Sequence, residues 1–313
     1  MSILLSVVVP VFNEEDVLPL FEDRLRPVLD GLDVPYEVLA VDDGSRDATP
    51  LVLQKMRQRW PQLRFIRLQR NSGHQNALTA GLHHARGAYV ASIDVDLQDP
   101  PETIAEMLRH AEASGLDVVY GIRADRTSDT PFKRWTAGLY YRVVRRVVGA
   151  EVPAEAGDFR LLSRRAVDAL TGLKEHKPVY RLLVPWLGLP TGEVTYVRQA
   201  RAAGQSKYPV SKMVRLALDS VTGFSSAPLR VATWLGCAGV VVCALLGAGG
   251  LAAYLRGHVV PGWSSLLVVM VFLGALQLLC LGLLGEYVAR IFTALQNRPA
   301  YVVSFDSETV ANR

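Results

Sequence analysis

Two long apolar segments without a charged residue lie near the C-terminal end of this 313-residue chain. Residues 231–255 form one such segment, and residues 259–285 form the other. Each is longer than the roughly 20 residues that a helix needs to cross a bilayer. The alternative is a pair of buried core helices, but no other part of the chain is large enough to surround both. We therefore predict a transmembrane hairpin over residues 227–292, with spans near residues 231–255 and 262–286.

The basic residues around these segments predict the orientation of the hairpin. Most of them lie outside the connecting loop, namely Lys207, Lys212, Arg215 and Arg230 before the first span and Arg290 and Arg298 after the second. In the loop itself there is only Arg256. Because basic residues favour the cytoplasmic side of a membrane, we expect an integral protein of the inner or plasma membrane with both termini in the cytoplasm. Residues 1–226 would form a cytoplasmic domain and residues 293–313 a cytoplasmic tail.

Apolar runs rich in β-branched residues alternate with helical patterns along the N-terminal part of the chain. The predicted strands are residues 4–11, 36–41, 65–68, 88–93 and 117–122, and the predicted helices are residues 16–29, 47–59, 75–85 and 102–113. Continuous apolar strands that alternate with helices indicate a mostly parallel sheet covered on both faces. The predicted fold class of residues 1–226 is therefore α/β, with a Rossmann-like sheet.

Polar clusters follow three of these predicted strands. Residues 10–15 end the first strand, residues 42–45 end the second, and residues 94–99 end the fourth. The carboxyl ends of parallel strands lie at one edge of a sheet, and open α/β sheets bind ligands there. An aspartate at this edge can accept hydrogen bonds from a nucleotide base or ribose. Each cluster alone also fits ordinary turn chemistry, so the prediction depends on their convergence.

The third of these clusters is a candidate metal site. The carboxylates of Asp94 and Asp96 and the amide of Gln98 are hard oxygen ligands, which suit Mg²⁺ or Mn²⁺ bridging a diphosphate. The alternative is an acidic turn before a helix, with Asp99 as N-cap and Pro100 at the first helical position. Asp99 fits that role, but capping does not account for the other two carboxylates. The metal site is the favoured interpretation.

Charge is divided unevenly along the chain, although the net charge is only +4. Residues 1–119 carry 11 basic and 18 acidic residues, a net charge of −7, whereas residues 120–215 carry 18 basic and 8 acidic residues, a net charge of +10. The first region favours a cation, and the second favours phosphate and an anionic membrane surface. A nucleic-acid partner is not expected beside two membrane spans. The glycine-rich fingerprints of dinucleotide-binding and P-loop proteins are also absent from the sequence.

Together, four motifs resemble the family-two inverting glycosyltransferases of the GT-A fold. The motifs are residues 10–15, 42–45, 71–75 with Ala80-Gly81, and 94–101. Within that family the chain is most similar to the polyprenyl-phosphate glycosyltransferases, which include dolichyl-phosphate mannosyltransferase and the bacterial bactoprenol glucosyltransferases. The resemblance covers residues 3–225, and the hairpin matches the bacterial type. Val95 is a departure, because many relatives have alanine between the two aspartates.

This resemblance implies an inverting, metal-dependent transfer of a sugar to undecaprenyl or dolichyl phosphate at the cytoplasmic membrane face. The expected donor is UDP-glucose and the expected product is β-linked, with GDP-mannose or another UDP-sugar as alternative donors. A homo-oligomer, a tetramer in relatives, is also implied. A processive polysaccharide synthase is disfavoured because no Gln-x-x-Arg-Trp motif follows Asp96. A non-catalytic membrane scaffold that partners a flippase or a second transferase is the remaining alternative, and it would not need the acidic cluster.

The resemblance also implies roles for individual residues. A catalytic role is expected of Asp96 and of Asp158. Asp158 would act as a base, or it would instead orient the sugar or Arg160. Nucleotide-sugar binding is expected of Pro10, Phe12, Glu14, Asp43, Ser45, Asp94, Val95 and Arg123. Phosphate or acceptor binding is expected of Arg126, Arg201, Ser206 and Lys207, although the basic segment around Lys207 also fits binding of lipid head groups. His74 and Gln75 either cap a helix or line the donor pocket.

Two further segments have the pattern of helices that lie on a membrane surface. In residues 132–149, apolar residues such as Phe132 and Trp135 recur at helical spacing beside five basic residues. Residues 210–224 show similar spacing. A basic face beside an apolar face with aromatic residues is typical of interfacial helices. For the second segment, packing against the protein core is nearly as good an interpretation.

Overall fold

The computed structural model describes residues 3–124, 156–173, 175, 178–197, 227–257, 262–296 and 298–311. The predicted interfacial helices at residues 132–149 and 210–224 lie outside these ranges, and so do the predicted phosphate ligands Arg126, Arg201, Ser206 and Lys207. The chain divides into two compact units. One consists of Met1–Pro209 with Pro299–Arg313, and the other of Val210–Arg298.

Strands and helices alternate through the first part of the larger unit, as predicted. They are β1 (Leu5–Val11), α1 (Leu18–Asp30), β2 (Tyr36–Asp42), α2 (Thr49–Arg59), β3 (Leu63–Leu68), α3 (His74–His84), β4 (Tyr89–Ser92) and α4 (Glu102–Ser114). Strand β1 pairs in parallel with β2 and β4, and β2 pairs in parallel with β3. Every residue of β1 is buried, which is typical of a parallel strand covered on both faces.

The apolar spacing of the helices explains how they cover this sheet. In α1 the buried residues Leu18, Phe21, Leu25 and Leu29 recur every three or four positions, so they form one face of the helix. Helix α3 packs so closely on β1 that a Cβ atom at Gly81 would come within 2.2 Å of the Val8 side chain. Glycine at this position therefore sets the distance between helix and sheet.

The remaining elements complete an eight-stranded sheet and add the apolar helices. They are β5 (Val118–Arg123), β6 (Ala156–Ser163), α5 (Arg164–Thr171), α6 (Tyr180–Trp186), β7 (Thr191–Tyr196), α7 (Ala227–Leu255), α8 (Trp263–Leu295), β8 (Val303–Asp306) and α9 (Ser307–Ala311). The strand order is β7-β5-β6-β4-β1-β2-β3-β8. Strand β6 is antiparallel to both of its neighbours, and β8 is antiparallel to β3. The mostly parallel sheet is thus confirmed, with two antiparallel strands added.

Strand β8 comes from the segment that follows the apolar helices. Arg64 on β3 forms an ion pair with Asp306, with 2.7 Å between Nη2 and Oδ2. The Phe65 amide donates a 3.0 Å hydrogen bond to the buried Ser307 hydroxyl, and the rings of Phe65 and Phe305 stack with centroids 5.1 Å apart. The sequence prediction described residues 293–313 only as a tail and did not foresee this strand.

Helices α7 and α8 contain the two candidate membrane spans. These are Val231–Ala253, with a mean hydropathy of 2.1, and Val269–Leu295, with a mean hydropathy of 2.0, and neither is buried by the described residues. The second lies further toward the C-terminus than the predicted span at residues 262–286. Helix α8 includes Glu286, at the end of the predicted span, and continues beyond it to Leu295. The side chains of Glu286 and Arg290 form an ion pair at 3.1 Å.

Candidate active site

The loops that follow β1 and β2 hold one another in place. The Asn13 amide donates a 2.9 Å hydrogen bond to the Ser45 hydroxyl, and the Arg46 amide donates a 2.9 Å hydrogen bond to Asn13 Oδ1. The Glu14 amide donates to the Thr49 hydroxyl at 2.9 Å. These contacts give the buried Ser45 a role in supporting the first loop.

Asp43 fixes the loop that follows β3. Its Oδ1 accepts a 2.7 Å hydrogen bond from the Ser72 amide, and its Oδ2 accepts a 2.8 Å bond from the Gly73 amide. Burial raises the pKa of Asp43, while the two hydrogen bonds oppose that rise. The adjacent Gly44 has a φ of +69°, and a Cβ atom there would come within 2.7 Å of the Arg70 backbone. The turn that presents Asp43 therefore requires glycine.

These three loops and the loop after β4 surround a cavity of about 270 Å³ at the carboxyl edge of β1, β2, β3 and β4. Its described lining residues are Pro10, Val11, Phe12, Glu14, Asp43, Asn71, Gly73, His74, Asp94, Val95 and Asp96. The structure thus brings together most of the predicted nucleotide-sugar ligands with both predicted metal-binding carboxylates. Ser45, Gln98 and Arg123 are not among the lining residues.

A larger cavity, of about 410 Å³, lies on the other side of the loop after β2. Its described lining includes the arginines Arg46, Arg67 and Arg70, together with Ser304, but no carboxylate side chain. The predicted Mg²⁺ or Mn²⁺ site would use carboxylate oxygens as ligands. The smaller cavity, which has them, is therefore the candidate active site.

Asp94 and Asp96 lie in a tight turn beyond β4, and not within the strand itself. Leu97 has a φ of +59°, and the Gln98 amide donates a 3.1 Å hydrogen bond to Asp96 Oδ1. The two carboxylates therefore do not follow the alternating side-chain pattern of an extended strand. The turn nevertheless brings both side chains to the same cavity.

Negative charge is concentrated around Asp94. Burial raises the pKa of Asp94 to about 6, and the neighbouring carboxylates Asp158, Asp99 and Asp96 add to the rise, while His74 opposes it. A raised carboxyl pKa among other carboxylates means that the ionised cluster is unfavourable without a compensating cation. The site has the electrostatic character of a cation-binding site.

Asp158 on β6 lies next to this cluster. The Ser92 hydroxyl on β4 donates a 2.5 Å hydrogen bond to the Asp158 carbonyl oxygen. In the side chain, Oδ2 accepts a 2.8 Å bond from Gln75 Nε2 and lies 3.2 Å from His74 Nε2, and Oδ1 accepts a 2.6 Å bond from Arg160. Burial alone would raise the pKa of Asp158, but hydrogen bonding from His74 and the charge of Arg160 lower this pKa well below its usual range.

The sequence alone leaves the place of His74 open, and the structure puts it in the cavity. It is the first residue of α3, and its Nε2 lies 3.2 Å from Asp158 Oδ2 and 3.7 Å from Asp94 Oδ1. Although burial opposes the change, the hydrogen bond to Asp158 and the charge of Asp94 raise the pKa of His74. The sequence signal that could have placed His74 in the site was its position at the start of a helix. A helix that follows a parallel strand begins at the ligand-binding edge of the sheet.

Arg123 and Asp99 form a cluster with Tyr196. Asp99 accepts a 2.5 Å hydrogen bond from the Tyr196 hydroxyl, and Arg123 Nε donates to the same hydroxyl at 3.3 Å. The N-cap of α4 is Pro101, without a side-chain cap. The predicted capping role of Asp99 is therefore wrong, because its buried carboxylate anchors the ends of β5 and β7 instead.

Comparison with known proteins identifies the family. Residues 6–171 match the family described as Glycosyl transferase family 2. The chain belongs to this family. It is 39% identical over 300 residues to the SfII prophage-derived bactoprenol glucosyl transferase of Shigella flexneri, with coverage of 96% of this chain and 97% of that protein. It is 40% identical over 305 residues to an uncharacterised glycosyltransferase of Bacillus subtilis, with coverage of 95% and 92%. The protein is a glycosyltransferase, as predicted.

A solved structure supports the fold of this glycosyltransferase. The crystal structure of glucosyl-3-phosphoglycerate synthase from Mycobacterium tuberculosis, in complex with Mn²⁺ and UDP-glucose, matches with a TM-score of 0.51 and 18% sequence identity. The match covers 70% of this chain and 77% of that one. At such low identity the likeness concerns the fold alone, and it confirms the predicted GT-A fold.

Proposed function

We propose that this glycosyltransferase transfers glucose from UDP-glucose to a polyprenyl phosphate, with inversion at the anomeric carbon. The observation that carries the proposal is the convergence of the loops after β1, β2 and β4 on one cavity that contains Asp94 and Asp96. The names of the bactoprenol glucosyl transferases that the chain resembles support both the sugar and the lipid acceptor.

The carboxylates fit a magnesium or manganese ion that is shared with the substrate. Among the described residues there is no group of three or more His, Cys, Asp or Glu side chains arranged to hold a metal. Mg²⁺ commonly binds through one or two carboxylates plus substrate phosphates, and Asp94 and Asp96 supply that number. The ion, when bound, would stabilise the charge of the departing diphosphate. The backbone amide of Gln98 donates a hydrogen bond to Asp96 and so helps to orient its carboxylate.

Asp158 is better suited to orienting its neighbours than to accepting a proton. Three side chains already donate to or contact its two oxygens, and its lowered pKa makes it a weak base. A phosphomonoester has its second pKa near 6, so most of the acceptor is already dianionic at pH 7 and needs little general-base assistance. We therefore assign Asp158 the role of orienting Arg160 at the site.

The membrane-embedded acceptor explains the apolar helices of this enzyme. We propose that α7 and α8 form a transmembrane hairpin whose two ends lie on the cytoplasmic side. The distribution of basic residues supports this topology. Independent support comes from the chain path, since residues on both sides of Val210–Arg298 belong to the same compact unit. Arg126, Arg201, Ser206 and Lys207 would bind the donor or acceptor phosphates, as the family resemblance implies.

A donor panel tests the proposed function. The purified full-length protein, in detergent with undecaprenyl phosphate and Mg²⁺, would be given UDP-glucose, UDP-galactose or GDP-mannose, and the lipid product would be identified by mass and anomeric configuration. The expected result is a β-linked hexosyl lipid from UDP-glucose. Absence of a lipid-linked sugar with every donor would contradict the proposal, and preference for another donor would correct the sugar.

A further inference from the structure

His74 connects two carboxylates that belong to different parts of the site. Asp94 follows the parallel strand β4, whereas Asp158 lies on the antiparallel strand β6. The His74 Nε2 atom lies 3.7 Å from an oxygen of the first and 3.2 Å from an oxygen of the second. Because ionised carboxylates only accept hydrogen bonds, Nε2 must carry a hydrogen.

The backbone on which His74 lies is tightly held. Asp43 accepts hydrogen bonds from the amides of Ser72 and Gly73, the two residues before it. The Asn76 side chain donates a 2.8 Å hydrogen bond to the Ser72 carbonyl oxygen from within the first turn of α3. The imidazole therefore projects from a fixed point, and its exposed ring lines the cavity.

The contacts of Asp158 show what His74 contributes. Gln75 and His74 both reach Oδ2, while Arg160 holds Oδ1. Gln75 and Arg160 would keep β6 and α3 together if the imidazole were removed. Asp158 would then lose the group that separates it from Asp94, and like charges at close range disfavour each other.

We propose that His74 is a positioning residue of the transfer reaction: its Nε2–H holds Asp158 in place and keeps it aligned with the Asp94 side of the cavity. The inference rests on the proposed function and adds a residue to it. Removal of the His74 side chain should disturb the alignment of donor and acceptor. Misplacement of a reacting group by about 1 Å can cost on the order of 100-fold in rate. We expect nucleotide binding to depend mainly on the loops after β1 and β2 and to change little when His74 is replaced.

Three variants of the full-length protein test this role: His74→Leu, which has no donor; His74→Gln, which keeps one; and His83→Leu, a control at the exposed end of the same helix. We expect His74→Leu to lower kcat about 100-fold, with little change in the KM for UDP-glucose, in UDP affinity measured by calorimetry, or in melting temperature. His74→Gln should recover at least about a tenth of wild-type kcat, and His83→Leu should match the wild type.

Each contrary result identifies what is wrong. A wild-type protein that transfers no sugar to polyprenyl phosphate would refute the proposed function and this inference with it. An active wild type that is matched by His74→Leu would refute the role of His74 alone. Loss of UDP binding and a lower melting temperature in His74→Leu would show a purely structural role. Failure of His74→Gln to recover activity, with UDP binding intact, would show that a hydrogen-bond donor is not what the reaction needs.

Discussion

The parallel and antiparallel strands of the sheet contribute differently to the enzyme. Strands β1, β2 and β4 end in loops that build the cavity, and backbone amides hold these loops together. Strands β6 and β8 contribute ion pairs instead, between Arg160 and Asp158 and between Arg64 and Asp306. The parallel strands thus provide the chemical groups at a common edge. Strand β8 fixes the edge of the sheet through a charged contact between residues far apart in the sequence, whereas Asp158 and Arg160 pair within β6.

The largest effect is expected at the parallel edge, where the chemistry lies. Asp96→Asn should lower the transfer rate by about 10³-fold, or about 4 kcal/mol of transition-state stabilisation, because one ligand charge is lost while the shape of the side chain is kept. EDTA should inhibit the wild type to a similar extent, and added Mg²⁺ or Mn²⁺ should restore it. The measurement is transfer of labelled sugar to lipid.

Asp168→Asn is the matched control for this change. Asp168 is a largely exposed carboxylate on α5 with a loose contact to Arg164 at 3.7 Å. Its substitution should leave transfer unchanged. Full activity of Asp96→Asn in the presence of EDTA would show that the carboxylates of the parallel edge do not hold a required metal.

The next largest effect should concern stability and should arise at the antiparallel strand β8. Asp306→Ala should destabilise the larger unit by about 3 kcal/mol, because the nearly buried Arg64 would lose its closest counter-charge. A lower melting temperature with unchanged activity per folded molecule would check this. An unchanged melting temperature would show that β8 is not needed for the stability of the sheet.

The same ion pair predicts a pH dependence. Hydrogen bonding to Arg64 and its charge lower the pKa of Asp306 below the ordinary value, although burial opposes the change. A carboxyl whose pKa is lower in the folded state contributes stability above its unfolded pKa, and this contribution is lost as the pH falls through the folded value. The melting temperature should therefore fall as the pH is lowered below about 4. This fall should be smaller in Asp306→Ala, which lacks the carboxyl group.

A smaller effect is expected where the parallel edge holds its own loops. Asp43→Asn leaves one acceptor oxygen for two amides, so either Ser72 or Gly73 loses its partner. An unsatisfied buried amide costs about 1–3 kcal/mol, and we expect about 2 kcal/mol here, seen as weaker UDP binding by calorimetry. Unchanged UDP affinity would show that the loop after β3 does not shape the donor site.

The smallest effect compares two glycines with left-handed backbone. Gly44 and Gly115 have φ values of +69° and +62°, but only at Gly44 would a Cβ atom meet the backbone of Arg70. Alanine at Gly115 should cost about 1 kcal/mol from backbone strain alone, and Gly44→Ala should cost more. Equal melting temperatures of the two variants would mean that the Asp43 turn tolerates displacement.

The difference between the strands also explains which features could be predicted from the sequence. Periodicity and turn residues determine the parallel strands locally, so the polar clusters after β1, β2 and β4 could be placed at one edge of the sheet from the strand ends. The roles of individual residues in these clusters were implied by the family resemblance, and the place of His74 stayed open. Pairing of β8 with β3 joins Asp306 to Arg64 across an insertion of two apolar helices, and no local pattern encodes it. The contact of His74 with Asp158 depends likewise on the antiparallel placement of β6.

The most direct test of the central claim is the anomalous scattering of manganese in a crystal of the full-length protein grown with UDP and Mn²⁺. We predict UDP in the 270 Å³ cavity between the loops after β1 and β3, with a single manganese peak within coordination distance of Asp94 or Asp96 and of the diphosphate. A UDP molecule in the arginine-lined cavity, or a manganese peak away from both aspartates, would contradict the account.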